Sequence, residues 1–165
     1  MLSLTKTNLP HAYRQRKVQP QALAHLATLE PGATAQAIDI AAANNIPKKF
    51  LDAILGELRN AGIVYSRKGP GGGYMLARAP SNIKIGQVIR TIDGPLAPIA
   101  CASRTAYQPC RDCKNVKSCT VRLMMTKVRD AMSDVLDRVT VADMVAMGES
   151  ALPVRAAAPS RRRLR

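Results

Sequence analysis

The stretch from residue 47 to residue 77 constrains the fold of this 165-residue chain more than any other part. It begins with PKKFLDAILGELRNAG, in which apolar side chains recur at the spacing of one helix face and a glycine marks the end. Two short strand-like runs, IVYSRK and YMLA, come next. They are separated by GPGGG, whose glycines accept the positive φ of a tight turn. The pattern therefore predicts a helix followed directly by a β-hairpin.

A second short helix precedes this one. Thr34 is expected to be the N-cap of TAQAIDIAAAN, with Ile38 among the side chains that face inward. Asn44-Asn45 can supply a left-handed turn, after which Pro47 can open the next helix. Two short helices joined by a tight turn and followed by a hairpin predict a winged helix-turn-helix, in which the hairpin is the wing.

An earlier helix is expected to begin near Pro20, because proline is tolerated at the first helical position, and to end at Pro31-Gly32. The predicted fold class is mainly α with a small β-hairpin wing: a winged helix-turn-helix plus a long C-terminal dimerisation helix. The chain is divided into an atypical basic N-terminal segment (1–19), the winged helix-turn-helix domain (20–98), a cysteine cluster loop (99–120), the dimerisation helix with a short following helix (121–148) and a disordered basic tail (149–165).

The dimerisation helix is predicted from an apolar row in the C-terminal third of the chain. Its members recur at alternating steps of four and three residues, the spacing of a helix that packs along another helix: Val121, Met125, Val128, Met132, Val135 and Val139. We favour the interpretation that this row contacts a second copy of the chain. The alternative is that the row belongs to a core helix of a monomer. Thr140 and Asp143 resemble a capping box at the start of VADMVAM.

The charge of the chain favours a polyanionic partner. Lysine and arginine total 25 against 11 acidic residues, for a formal net charge of +14, with +8 in residues 1–90 and +5 in residues 151–165. The aromatic content of 3% disfavours stacking on single-stranded bases. Because the second helix of a helix-turn-helix enters the major groove of duplex DNA, the candidate DNA-binding residues lie there and on the wing: Lys48, Lys49, Asp52, Arg67, Lys68 and Gly71.

All four cysteines, Cys101, Cys110, Cys113 and Cys119, lie within nineteen residues. The chain contains no stretch of about 18 apolar residues and no apolar core of a secretory signal, so we expect no membrane partner and a cytoplasmic location. In that reducing compartment, clustered cysteines more often bind metal or take part in redox chemistry than form structural disulfides.

Residues 34–101 resemble the winged-helix repressor family that includes the iron-sulfur regulators IscR, NsrR and RirA. The motifs that carry the resemblance are IPKKFLDAILGELRNAGIV, RKGPGGGYMLAR, IKIGQVIRTIDG and the cysteine at position 101. The resemblance implies a homodimer with a domain-swapped long helix, double-stranded promoter DNA as the ligand and, often, a cysteine-bound iron-sulfur cluster. By position it places Lys48, Lys49 and Asp52 on the recognition helix and Lys68 at the basic residue of the wing.

The chain departs from the family pattern in three places. The family's Leu-Thr-Lys start normally runs directly into a long first helix, whereas here Pro10 and Pro20 follow it, which predicts a shortened or rebuilt helix. The four cysteines are separated by eight, two and five residues, so Cys110 is an additional or a replacement ligand. Arg122 stands where some relatives place a ligating histidine.

The four cysteines are candidate ligands of one cofactor. Thiolates are soft ligands that can surround a 2Fe-2S or 4Fe-4S cluster, which is favoured, or a tetrahedral zinc ion, for which Cys110-x-x-Cys113 looks like half a site. The predicted function is a homodimeric, sequence-specific transcriptional regulator whose DNA binding is switched by the cluster in response to iron, redox state or nitric oxide.

Several alternatives to this function stay open. The first alternative is a DNA-binding regulator that contains zinc or that responds through thiol redox chemistry. A nucleic-acid binder without a sensing role explains the charge equally well. A thiol oxidoreductase built on Cys110-x-x-Cys113 is disfavoured, because the chain lacks the alternation of strands and helices on which such enzymes are built, and no enzymatic activity is predicted.

Overall fold

The computed structural model describes residues 11–111, 113 and 115–151, and for residues 11–16 and 151 it describes the backbone alone. This part of the chain forms six α-helices and one antiparallel hairpin, so the predicted fold class is confirmed. The order is α1 (His11–Ala27), α2 (Ala37–Ala43), α3 (Lys48–Asn60), β1 (Val64–Arg67), β2 (Gly73–Leu76), α4 (Ile85–Asp93), α5 (Thr120–Leu136) and α6 (Val141–Ala151), with short 3-10 turns at Pro80–Asn82 and Ala100–Ala102.

Helix α1 begins at His11, well before Pro20, so the predicted start near Pro20 is wrong. Pro20 lies inside the helix, where it removes one backbone hydrogen bond. Burial of the neighbouring side chains compensates, because Ala22 and Leu23 are completely buried and Leu26 nearly so. Residues 11–19 of the predicted atypical segment are therefore helical, and residues 1–10 lie outside the described part of the chain.

The helix-turn-helix forms as predicted, with one shift. Asn45 adopts a positive φ of 52° between α2 and α3. Helix α2 starts at Ala37 with Gln36 as its N-cap, so the prediction that Thr34 caps this helix is wrong. Ile38 was also expected to face inward, but its side chain is 56% exposed. The buried residues of this short helix are instead Ile40 and Ala41.

The residues upstream of α2 pair with the wing instead of with the helix. β1 and β2 form an antiparallel hairpin in a register that runs from Val64 opposite Leu76 to Arg67 opposite Gly73. Ala35 extends this pairing on the far side of β2, because it exchanges two backbone hydrogen bonds with Tyr74, at 3.0 and 2.8 Å. This pairing draws the chain before α2 into the sheet.

The hydrophobic core lies between α1, α3, α4 and the base of the wing. Helix α3 contributes its whole apolar stripe, with Leu51, Ile54, Leu55 and Leu58 all buried. Other completely or almost completely buried side chains in this core are Leu23, Ile40, Ile63, Val64, Ile83, Val88 and Val141. The part of the molecule that contains this core, residues 17–96 together with α6, is called the body below.

The C-terminal end of α5 is tied to the start of α4. Arg90 forms a two-pronged ion pair with Asp137, with nitrogen–oxygen distances of 2.5 and 2.8 Å. The backbone amides of Ile85 and Val141 each donate a 3.0 Å hydrogen bond, to the carbonyls of Val139 and Ile83 respectively. These contacts fix one end of the long helix on the body.

The capping box at the start of α6 is present. The Asp143 carboxylate accepts hydrogen bonds from the Thr140 amide (2.8 Å) and hydroxyl (2.7 Å), and the Asp143 amide donates to the Thr140 hydroxyl oxygen (3.1 Å). These hydrogen bonds lower the pKa of Asp143. Helix α6 continues to Ala151, so the first residues of the predicted disordered tail are helical, and residues 152–165 lie outside the described part.

Candidate DNA-binding surface and cysteine loop

The first turn of α3 presents two lysines to solvent. Lys48 and Lys49 are both exposed, because the apolar stripe of the helix faces the core. Lys48 Nζ lies 2.7 Å from Asp52 Oδ2, one helical turn away. Asp52 therefore orients Lys48, and the ion pair is itself exposed enough to add little stability. The three residues that the sequence assigned to this helix thus lie together at its amino end.

The wing carries the other candidate residues. Arg67 ends β1 and Lys68 follows it, and both are exposed. Gly71, also exposed, has a φ of 72°, which explains why the turn needs glycine there. A side chain at Gly72 would press its Cβ against the carbonyl oxygens of Arg67 and Gly69 on the other side of the turn. The tip of the wing is therefore narrow, as a close approach to a DNA backbone requires.

Thr34 also belongs to the candidate DNA-binding surface formed by the start of α3 and the wing, although the sequence pattern did not indicate it. Its hydroxyl donates a 2.8 Å hydrogen bond to the carbonyl oxygen of Gly71, and this bond joins the connection before α2 to the tip of the wing. Together with the pairing of Ala35 and Tyr74, it holds the wing against the helix-turn-helix. No local pattern could predict a contact between residues so far apart in sequence.

The four cysteines occupy different environments. Cys101 lies in the 3-10 turn Ala100–Ala102, which we call the cysteine turn, and is 3% exposed. Cys110 is exposed, and Cys113 and Cys119 are half-buried. Cys119 is the N-cap residue of α5, and Cys113 Sγ lies 3.9 Å from the carbonyl oxygen of Asn115. The cysteine loop, residues 101–119, therefore connects the cysteine turn to the start of the long helix.

The cysteine loop fits a metal in its chemistry but not in its present arrangement. Four thiols are a suitable donor set for iron or zinc, and Arg104, Arg111 and Lys117 can offset the negative charge of a thiolate-bound metal. Within residues 11–111, 113 and 115–151, however, no three histidine, cysteine or acidic side chains are grouped closely enough to hold a metal ion. The structure therefore contains no preformed cage for a cluster in this part of the chain.

Two arginines of α5 hold the cysteine turn. Arg122 Nε donates a 2.9 Å hydrogen bond to the carbonyl oxygen of Cys101, and an Arg129 guanidinium nitrogen donates to that of Ala102. Arg129 also pairs with Asp130 at 2.6 Å, and Arg104 pairs with the same carboxylate oxygen at 3.0 Å. Arg122, at the position where some members of the resembled family have a histidine ligand, here contacts the backbone of a cysteine.

Helix α5 leaves an apolar row in solvent. None of its residues is fully buried, and Val121, Met124 and Val135 are 54%, 53% and 62% exposed. This row differs from the predicted one, because Met125 and Met132 are half-buried and Val139 lies beyond the end of the helix. The uncovered row consists of Val121, Met124, Val128, Ala131 and Val135.

In the part of the chain that the structure describes, no helix has both the length and the apolar character that a membrane span requires.

Comparison with known proteins identifies the family. The model of the Rrf2 family, described as iron-dependent transcriptional regulators, matches residues 15–147. An Rrf2-like HTH-type transcriptional regulator of Rhodobacter capsulatus is 40% identical over 146 residues, which are 88% of this chain and 89% of that protein.

Solved structures agree with this match. CymR, the global cysteine regulator of Bacillus subtilis, superposes with a TM-score of 0.66 at 27% identity over 89% of this chain and 98% of that one. IscR of T. potens superposes with a TM-score of 0.65 at 26% identity over 84% of this chain and 89% of that one. These relatives are transcription regulators and not enzymes. The chain belongs to the Rrf2 family of winged helix-turn-helix transcriptional regulators.

Proposed function

We propose that this Rrf2-family regulator is a homodimer that binds double-stranded promoter DNA in a sequence-specific manner, and that its cysteine loop controls the affinity. The observation that carries the proposal is the joint presentation of two basic elements. The exposed lysines of α3 and the exposed Arg67 and Lys68 of the wing belong to one body, and Thr34 holds the wing in place. Because its ligand is promoter DNA, we also propose a cytoplasmic location.

The dimer is proposed from the surface of α5. Five residues at steps of three and four, Val121, Met124, Val128, Ala131 and Val135, form one apolar row in solvent. This is the spacing of a helix that packs along a second helix, and the small side chain of Ala131 in the row permits a close approach. Two-fold regulators read two DNA half-sites, so a dimer also suits the recognition helix.

For the sensing chemistry we propose an iron-sulfur cluster bound by Cys101, Cys110, Cys113 and Cys119, with zinc as the alternative metal. The proposal is supported by the donor set and by the description of the family as iron-dependent. Because no three potential ligands are grouped closely enough to hold a metal among the described residues, cluster binding requires the loop to rearrange. For either metal, binding would change how the loop and α5 are held together, and the DNA affinity would change with it.

A thiol sensor without a metal is the second candidate. It is favoured by the contrast between the exposed Cys110 and the buried Cys101, because oxidants reach exposed thiols first. CymR, whose name describes a regulator of cysteine, is similar to this chain over most of its length. The thiol sensor would use the same DNA-binding surface as the cluster-binding regulator. It differs in having no metal and in the signal to which it responds.

The DNA-binding proposal is tested by selecting a site from a random duplex library and comparing its binding with that of a scrambled duplex. Lys68→Ala is expected to weaken both duplexes, because a wing lysine contacts phosphate. Lys49→Ala is expected to reduce the preference for the selected site, and Lys127→Ala, an exposed lysine of α5, is the matched control. Equal losses on both duplexes for both variants would favour a binder without sequence preference.

The cofactor is tested by anaerobic purification followed by visible absorbance and by iron, sulfide and zinc assays. Stoichiometric iron and sulfide with a visible chromophore would support the cluster. A colourless protein with stoichiometric zinc would refute it in favour of zinc. A metal-free protein whose DNA affinity changes on oxidation with peroxide and recovers with dithiothreitol would support the thiol sensor.

A further inference from the structure

The contact between the cysteine turn and α5 is made through backbone carbonyls. Arg122 donates to the carbonyl oxygen of Cys101 at 2.9 Å, and Arg129 donates to that of Ala102. These two carbonyls lie at the end of a 3-10 turn, where no following turn of helix supplies N–H groups to donate to them. The two arginines are two helical turns apart on α5, so they bind the cysteine turn along one face of the helix.

Arg129 is held more firmly than the other arginines in these contacts. Its side chain is only 12% exposed, whereas that of Arg104 is 74% exposed. The Arg129 guanidinium divides its donors between the Ala102 carbonyl and the Asp130 carboxylate, which Nε and a terminal nitrogen contact at 2.9 and 2.6 Å. A planar guanidinium makes these contacts from three separate nitrogens, whereas a lysine has a single donor nitrogen and cannot reproduce that geometry.

The other end of α5 is anchored separately. Asp137, directly after the helix, pairs with Arg90 of α4, and the Lys84 ammonium donates a 3.2 Å hydrogen bond to the Arg138 carbonyl. The long helix is thus attached to the body at its C-terminal end and to the cysteine turn along the part that runs from Arg122 to Arg129. These contacts add a second link between the cysteine loop and α5, besides the direct chain connection through Cys119.

We propose that Arg122 and Arg129 are positioning residues that clamp the buried Cys101 to α5 and thereby transmit the state of the cysteine loop to the helix that carries the dimer contact. The inference rests on the proposed function, because it assumes that the loop controls DNA binding. It assigns a role to two residues that bind neither DNA nor the thiol groups themselves. Loss of either arginine is expected to release the cysteine turn from the side of α5, so that the loop keeps only its chain connection to the helix at Cys119.

The clamp is tested by the rate at which iodoacetamide alkylates each thiol of the reduced, full-length protein, followed by mass spectrometry. Cys101 is expected to react slowly in the unmodified protein, because it is buried. Arg129→Met and Arg122→Met are expected to raise that rate about 10-fold or more by permitting local opening. Arg104→Met, which removes an exposed ion pair to the same Asp130, is the matched control and leaves the rate unchanged.

Global unfolding is distinguished from local release by Cys110 and by the conservative variant. The alkylation rate of the exposed Cys110 and the thermal midpoint are expected to stay near those of the unmodified protein. Arg129→Lys keeps the charge but makes fewer hydrogen bonds, and it is expected to give an intermediate Cys101 rate. If Arg129→Met unfolds, Arg122→Met and Arg129→Lys decide the question. An unchanged Cys101 rate in folded variants would overturn the proposal.

A second measurement separates this inference from the proposed function. Binding of the selected duplex is measured with the loop thiols reduced and then alkylated. A change of about 10-fold in the unmodified protein is expected, and it is expected to vanish in folded Arg129→Met. If the unmodified protein shows no change, control by the loop is wrong. If the change is present and folded Arg129→Met and Arg122→Met both retain it in full, the loop controls binding but the clamp does not transmit it.

Discussion

The body and the segment that contains the cysteine loop and α5, here called the arm (residues 99–136), are stabilised in different ways. All the side chains of the buried cluster lie outside the arm, and several, including Leu51, Leu55 and Val88, are completely buried. In the arm, α5 has no fully buried residue, and its contacts with the cysteine turn are hydrogen bonds from arginines. Within the arm, Cys101 and Ala102 are buried and Leu136 packs against the core. The body is therefore stabilised chiefly by apolar burial, whereas α5 and the cysteine turn are joined chiefly by polar contacts.

This difference suggests a division of roles. Apolar burial within one chain keeps the recognition helix and the wing in a constant relation, as DNA recognition requires. Hydrogen bonds and an uncovered apolar row can be rearranged at a smaller free-energy change, which suits a segment that responds to a signal. The four predictions that follow test this comparison.

The largest effect is expected in the body. Leu55→Ala deletes a completely buried side chain of α3 and is expected to lower the free energy of unfolding by about 2–5 kcal/mol, from lost burial and the cavity left behind. Urea denaturation at fixed protein concentration measures the change. Lys127→Ala on α5 is the control, with an expected change below about 0.5 kcal/mol. A loss below about 1 kcal/mol for Leu55→Ala would contradict the assignment of the core to the body.

The arm is expected to depend on a second copy of the chain. Val128→Asp places a charge in the middle of the uncovered row, and burying it unpaired in a dimer is expected to raise the dimer dissociation constant about 100-fold or more. Sedimentation velocity over a dilution series measures the constant. At concentrations where both proteins are monomeric, their thermal midpoints should agree. A Val128→Asp dimer as tight as the unmodified one would show that this row is not the contact.

The junction between the two regions is tested at Gly86. A Cβ at this buried position would overlap Asp137 Oδ1, so Gly86→Ala is expected to push the half-exposed carboxylate aside, to weaken the Arg90–Asp137 pair and to lower the free energy of unfolding by about 1 kcal/mol. Chemical denaturation measures the loss. In an Asp137→Ala background the obstacle is gone, and the same substitution is expected to have a smaller effect. Equal losses of unfolding free energy in both backgrounds would show that the added methyl group does not act through Asp137.

The last effect, of similar size, is expected at the capping box that starts α6. Thr140→Ala removes the hydroxyl contacts with Asp143 and is expected to lower the free energy of unfolding by about 0.5–2 kcal/mol at neutral pH.

The pH dependence at this site has a definite sign. Because hydrogen bonds lower the pKa of folded Asp143 below its ordinary value of 3.8, the stability they contribute is present above that value and is lost as the pH falls through the folded pKa. The difference between the unmodified protein and Thr140→Ala should therefore shrink in acid, as thermal melts at pH 7 and pH 3 would measure. A difference that grows on acidification would contradict this coupling.

Local sequence patterns predicted the elements whose conformation depends on near neighbours. The stripe of α3, the positive φ of Asn45, the hairpin turn and the capping box at Thr140 and Asp143 all occur as expected. Each depends on residues within a few positions of one another, so spacing alone carries the information. The resemblance to the family of IscR, NsrR and RirA correctly indicated the Rrf2 family.

The errors occur where distant parts of the chain compete for the same residue. Pro20 looked like a helix start, but burial of α1 against the core sustains the helix through it. Thr34 looked like a cap, but pairing of Ala35 with Tyr74 carries its hydroxyl to Gly71. The apolar row of α5 shifted from Met125 to Met124, because the set of side chains left in solvent depends on what packs beside the helix.

The order of a basic winged helix-turn-helix, a cysteine loop and a long helix could be predicted from the amino-acid pattern, because the period of apolar residues and the turn residues act locally. The places where Thr34, Arg122 and Arg129 act became visible in the folded chain. Their partners are Gly71, Cys101 and Ala102, which are distant in sequence, and hydrogen bonds between them exist only after the core has brought those segments together.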